Sequence, residues 1–339
     1  MTHSLFMPRL SRRHALALGG AGLLAAGLGG VARAQQAADF PVQLNWIETG
    51  DFASLFMAEK LDLDVAQGIK QSFVPGGPQV DPVQSVAGGT APVGLGGAIT
   101  QAALARSNGI PVKVIGAFFR SSPVGLISLA GNPIKTPQDA VGKRIGLQGG
   151  ARLPWSIILK EAGISEDQMT IVPVAGDITP LVSGQIDGYW GTAVNQHITL
   201  KLQGIDNHIM TRNTIGAPEH FLTIFAMEQT LADRGDEIVS WLKAMIAGQQ
   251  AVIDDPEAAA AYVVERSPSL QLNPEQQKQQ VQGSLEFIQP PGRELPLLAV
   301  DMEGAETSLE QIRAMDILAA PVELSDLIDQ SFVERAHAA

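Results

Sequence analysis

Twice along this chain, short apolar runs alternate with longer stretches at helical spacing, and this alternation restricts the fold more than any other feature. From residue 40, "FPVQLNW" reads as a strand, "FASLFMAEKL" as a helix, "IKQSFVPGG" as a strand closing in a turn, and "DPVQSVAGG" as a short helix stopped by glycines. "APVGLGG", "AITQAALARSNG" and "PVKVIGAFF" continue as strand, helix and strand. Such βαβα order implies an α/β fold with a mainly parallel sheet covered by helices on both faces. After Arg120 the pattern begins again, from "VGLISLA" through "RIGLQGG", "LPWSIILKEAGI", "MTIVPV", "QIDGYWG" and "IDNHIMT", and "EHFLTIFAM" reads as a strand leading back. Beyond Glu228 only helix-spaced segments follow, broken with capping residues at Asp254-Asp255-Pro256 and Ser267-Pro268. A helical tail of this length has to pack on something, and the first module is the expected support.

The stretch "LSRRHALALGGAGLLAAGLGGVARAQQ" precedes all of this. A membrane-spanning helix needs about 20 strongly apolar residues, and this run is rich in Gly and Ala. A basic region, an apolar core and the small-x-small site "ARA" fit a removable export signal over residues 1–34, and Ser11-Arg12-Arg13 gives it the twin-arginine form. The G-x-G-x-x-A match at Gly20 to Ala25 follows no strand and lies in no βαβ unit, so it does not indicate dinucleotide binding. The chain carries a net charge of −12, which becomes more negative once a leader with four arginines and no acid is removed. That balance excludes nucleic acid and anionic membrane surfaces as partners. There is no cysteine, which excludes disulfides, thiolate metal sites, thiol nucleophiles and an N-terminal lipidated cysteine. The mature chain is expected to be soluble and periplasmic, without membrane insertion.

Ligands of α/β sheets bind beyond the carboxyl ends of the strands. The loop after the first strand carries Asn45, Trp46 and Asp51. Trp46 offers a rigid π-face, Asn45 both a donor and an acceptor, and Asp51 fits either a helix cap or the partner of a ligand amine. Gly96 and Gly97 lie between a strand and a helix, where backbone amides could hold an anion or simply form a tight turn. Phe119 and Arg120 end the run before the second module, and Gln148 follows "RIGL". In "DGYWGTAVNQ", alternation puts Tyr189 and Trp190 on opposite faces of a strand, with Trp190 the favoured stacking wall and Asn195 opening the next helix. His220 lies where the chain returns to the first module. Trp, Tyr, Phe, Asn and Gln outnumber Lys and Arg in these loops, which favours a neutral or cationic ring-bearing ligand over a simple anion. No G-x-S-x-G elbow, H-E-x-x-H pair or phosphate loop occurs, so catalysis is not expected, and neither is a cofactor or a metal.

The segments "LNWIETGDFASLFMAEKLDL", "GGTAPVGLGG", "IKTPQDAVGKRIGLQGG" and "LVSGQIDGYWGTAVNQ" resemble, in order, segments of the periplasmic substrate-binding proteins of ABC importers. The group is the one similar to binding proteins for nitrate, sulfonates and the pyrimidine precursor of thiamine. Thr90-Ala91-Pro92-Val93 departs from that group's usual Lys/Ala-Asp pair. The resemblance implies a two-lobed periplasmic binding protein fold of type II-like form, with two crossover strands near residues 118–129 and 220–227. Lobe 1 would then comprise residues 35–122 and 225–339, with the helical tail packed on it, and lobe 2 residues 123–224. It further implies a small ligand held between the lobes, a transmembrane ABC permease and its ATPase as partners, and a monomer. A pyrimidine of the thiamine-precursor type is the leading ligand; sulfonate or nitrate, a pyrimidine-synthase-like enzyme and a sensor module are the alternatives. The synthases of this fold carry a cysteine-rich motif that this chain cannot match.

Overall fold

The computed structural model describes residues 37–77, 79–215, 219–292 and 294–338. The export signal expected over residues 1–34 lies outside the described residues. None of the described helices is long and apolar enough to cross a membrane.

Among the described residues, ten strands form two five-stranded sheets. The first contains β1 (Ala38–Gln43), β2 (Ile69–Val74), β3 (Val93–Gly96), β4 (Val112–Phe119) and β10 (Phe221–Met227), in the order β2-β1-β3-β10-β4. The second contains β5 (Val124–Leu129), β6 (Arg144–Leu147), β7 (Thr170–Pro173), β8 (Gly188–Thr192) and β9 (Asn207–Thr211), in the order β7-β6-β8-β5-β9. Each sheet is mixed, with four strands running the same way, in keeping with the mainly parallel expectation, and one reversed. β1 runs parallel to β2 and β3, whereas β10 is antiparallel to both its neighbours. β6 is parallel to β7 and β8, whereas β5 is antiparallel to β8 and β9. The reversed strands β5 and β10 are those by which the chain enters one sheet directly from the other, without the crossover helix that parallel pairing needs.

Apolar clusters cover both faces of each sheet. On the first, Phe40, Leu55, Phe56, Trp241, Leu242 and Met245 form one core, and Val114, Phe225, Leu309 and Ile312 belong to the other. The helix Glu228–Asp254 buries Ile238, Trp241, Leu242, Met245 and Val252, a stripe at helical spacing, with Trp241 stacked on Phe40 at 5.6 Å between centroids. Gly248 lets it close on the helix Ala53–Lys60, since a Cβ there would lie 2.3 Å from the Ser54 carbonyl oxygen. Asp255, Asn273 and Asp301 cap the next three long helices; Asp255 and Asn273 are followed at once by proline, whose missing N–H costs nothing at a helix start. The tail therefore packs on the first sheet, as expected. Its helix Pro274–Ile288 also reaches the helix Gln196–Leu202 that follows β8 in the second sheet.

Candidate functional site

The ends of β1, β3, β6 and β8 lead into loops that enclose a cavity of about 310 Å³, shared between the two sheets. From the first sheet come Asn45, Trp46 and Asp51 after β1, and Gly97, Thr100 and Gln101 after β3. From the second come Gln148 after β6, and Trp190, Thr192, Asn195 and Gln196 at and after β8. Arg212, Glu219 and Phe221 complete the wall where β9 leads into β10.

Trp46 reaches across the opening, so that a Cβ on Gly176 of the opposite wall would sit 3.9 Å from its Cζ2. Asn45 lines the cavity, and its Oδ1 is buried and accepts no hydrogen bond from the described residues. Both residues are held by Gly76, whose N–H donates to the Trp46 carbonyl at 3.1 Å and where a Cβ would lie 2.3 Å from the Asn45 carbonyl carbon. Gly76→Ala is therefore expected to push this loop into the cavity. Titration of ligand into the variant should show weakened binding together with a lowered thermal midpoint, because the clash is with backbone atoms that cannot swing aside; unchanged affinity would contradict the assignment.

Asp51 does not cap the helix that follows. It lies in the 3-10 turn Gly50–Phe52, the cap position of the next helix is Phe52, and Asp51 Oδ1 accepts from Gln280 Nε2 at 2.9 Å. Burial pushes its carboxyl up to about 6, against the lowering effect of the Gln280 bond. An acid whose folded pKa is raised costs stability above that pKa and nothing below its unfolded value. Asp51→Asn should accordingly stabilise the unliganded protein above pH 6, with the gain fading as pH falls from about 6 towards the unfolded value of 3.8. Thermal midpoints across that range check this, and a gain independent of pH would refute it.

Trp190 lines the cavity with Trp155 packed edge-on behind it at 6.0 Å. Tyr189, on the opposite face of β8, is fully buried in the core. Its hydroxyl, pushed up to about 12 chiefly by burial, accepts from Gln148 Nε2 at 2.8 Å and donates to the Ala175 carbonyl at 3.2 Å. Tyr189 thus orients Gln148 and does not line the cavity.

Four further expectations are corrected. Gly96 is buried within β3, where a Cβ would press on Thr223 Oγ1 at 2.9 Å; Gly97 lines the cavity, but its N–H already donates to Gln101 Oε1 at 3.0 Å, which leaves the tight-turn reading of the pair and not the anion-holding one. Phe119 packs in the core against Phe221, and it is Phe221 that lines the cavity. Arg120 is buried and donates to the carbonyls of Leu295 and Pro296, tying the first crossover to the loop before the helix Met302–Ala314. His220 is buried, and its Nε2 accepts from the Asp301 N–H at 2.9 Å at the start of that helix.

A buried ion pair that no sequence motif marks also stands in the wall. Arg212 Nε lies 3.3 Å from Glu219 Oε2; Glu219 Oε1 accepts from Thr100 Oγ1 at 2.8 Å, and Arg212 Nη2 donates to Gln311 Oε1 at 2.8 Å. Arg212 supplies the lining with a guanidinium already engaged by a carboxylate, while Asp51 adds a second acid. The only signal in the sequence was opposite charges at the two ends of one short crossover. No group of three or more His, Asp or Glu among the described residues is placed to hold a metal ion.

Residues 49–259, more than half of the chain, match the family model described as NMT1/THI5 like. The chain belongs to the NMT1/THI5-like family. Similar proteins include the formylaminopyrimidine-binding protein of Halalkalibacterium halodurans, 24% identical over 295 residues covering 84% of this chain and 88% of that one. The 4-amino-5-hydroxymethyl-2-methylpyrimidine phosphate synthase of Schizosaccharomyces pombe is 28% identical over 159 residues, covering 46% of each chain. Among solved structures, the alkanesulfonate-binding protein SsuA of Xanthomonas axonopodis pv. citri, bound to MOPS, superposes with a TM-score of 0.66 at 14% identity, covering 86% of this chain and 98% of that one. The periplasmic binding protein fold of the family is thus present, with its two sheets flanking the cavity.

Proposed function

We propose that this chain is the solute-binding component of an ABC importer, exported to the periplasm through a cleaved twin-arginine signal, that captures a small pyrimidine-like ring and presents it to a membrane permease. The lobes would be residues 35–122 with 225–339, and residues 123–224, closing over the ligand about the two crossovers. The observation that carries the ligand class is the composition of the cavity wall. Two indoles, the orphan Asn45 acceptor and the Asp51 carboxyl face a space whose lining guanidinium is already engaged by Glu219. A flat ring with exocyclic amino groups would stack on the indoles and donate to Asn45 and Asp51. A sulfonate would meet the carboxylates of Asp51 and Glu219, and the guanidinium of Arg212 in the lining is already engaged by Glu219. The name of the formylaminopyrimidine-binding relative supports the same class. A binder rather than a synthase fits a chain that contains no cysteine.

The test is native mass spectrometry of the exported protein purified without denaturation, followed by thermal-shift titration. Co-purification of, or stabilisation by, an aminopyrimidine supports the proposal. Stabilisation by alkanesulfonate alone overturns the ligand class and leaves the transport role standing.

A further inference from the structure

The helix Pro274–Ile288 carries "PEQQKQQVQ", a run of glutamines that helical periodicity alone would assign to solvent. Three of them are used otherwise. Gln280, fully buried, donates to Asp51 Oδ1 at 2.9 Å, and Gln277, also buried, accepts from the Gly50 N–H at 2.8 Å. Gln276 points to the other side of the cavity, donating to Asn195 Oδ1 at 2.9 Å and Thr199 Oγ1 at 2.8 Å. The first two hold the turn that follows β1 of the first sheet. The third holds the start of the helix that follows β8 of the second.

Close packing accompanies both sets of bonds. A Cβ on Gly50 would lie 3.1 Å from Val281 Cγ2, and one on Gly283 would lie 3.6 Å from Val194 Cγ1. The two sides are not equivalent in burial. Gln277 and Gln280 are sealed from water, so their bonds to the first wall can be broken only by exposing unpaired polar groups. Gln276 is half-buried, and water can replace its partners. The helix is therefore fixed to one wall and detachable from the other.

We propose that this helix is an interlobe latch: Gln276 holds Asn195 and Thr199 in the closed arrangement and lets go when the cleft opens. Gln276 and Gln280 act as positioning residues, each bonded to a side chain that lines the cavity, Asn195 or Asp51. The inference rests on the cleft-closing part of the proposed function but not on the identity of the ligand, and it can be tested with no ligand present.

The absence of cysteine makes the measurement direct. Val65→Cys and Val182→Cys, at positions 47% and 43% exposed on helices beside the first and the second sheet, place one spin label on each side of the cleft. Pulsed electron resonance on the unliganded double-cysteine protein then reads the interlobe distance distribution. Adding Gln276→Ala should shift that distribution to longer distances with the melting midpoint unchanged, and Thr199→Val should shift it less in the same direction. A merely structural role would lower the midpoint and leave the folded protein's distances as they were. If Gln276→Ala prevents folding, Thr199→Val alone carries the test. A distribution identical to that of the parent in the folded variants overturns the latch.

Discussion

Glu219→Gln is expected to cost the unliganded protein about 3–5 kcal/mol, the loss typical when one member of a buried ion pair is removed. Glu219 and Arg212 are 4% and 1% exposed, and their charges meet at 3.3 Å in the cavity wall. Glutamine keeps a group for Thr100 to bond but removes the charge that compensates the buried guanidinium. By contrast, Arg335 and Asp236 pair where the aspartate is 98% exposed, and Asp236→Asn should change stability by about 0–1 kcal/mol. Replacing Arg212 and Glu219 together with apolar residues of similar volume should recover much of the loss, because the cost of desolvating both charges disappears as well. Denaturant midpoints with unchanged slopes measure all three effects. Equal, small losses for Glu219→Gln and Asp236→Asn would show that the pair is not buried in solution.

Trp46→Ala is expected to weaken ligand binding by about 1–3 kcal/mol, roughly five- to 150-fold, the range for a buried aromatic anchor. In the unliganded protein Trp46 is half-buried, packed against the edge of the first core and reaching towards Gly176, so its removal should lower the thermal midpoint only modestly. Trp190 differs. It is 6% exposed and packs on Trp155, so Trp190→Ala should lower affinity and stability together. Calorimetric titration beside thermal melts separates the two patterns. Unchanged affinity in both variants would remove the indoles from the site.

These expectations show how far local rules reach in this chain. Strand periodicity and the preference of ligands for strand carboxyl ends were enough to single out Asn45, Trp46, Asp51, Gln148, Trp190 and Asn195, all of which line the cavity. Period-two alternation separated Trp190 from Tyr189 but could not say that Tyr189 would hold Gln148 from behind. The reversed directions of β5 and β10 were hidden because an apolar strand reads the same whichever way it runs. Arg212 and Glu219 were hidden because the crossover between them has no periodicity, and their burial depends on Thr100 and Gln311, distant in sequence. The roles of Gln277 and Gln280 were hidden because nothing local records that Gly50 and Asp51 lie opposite them. His220 and Arg120 were placed in the cleft by proximity to the crossovers, whereas both meet backbone groups of the segment 295–301.

The most direct test of the proposed function is a calorimetric titration of the purified protein with 4-amino-5-hydroxymethyl-2-methylpyrimidine and, separately, with an alkanesulfonate. The composition of the cavity wall predicts saturable one-site binding of the pyrimidine, weakened in Trp46→Ala, and no measurable heat from the sulfonate at the same concentrations. Saturable binding of the sulfonate with none of the pyrimidine would contradict it.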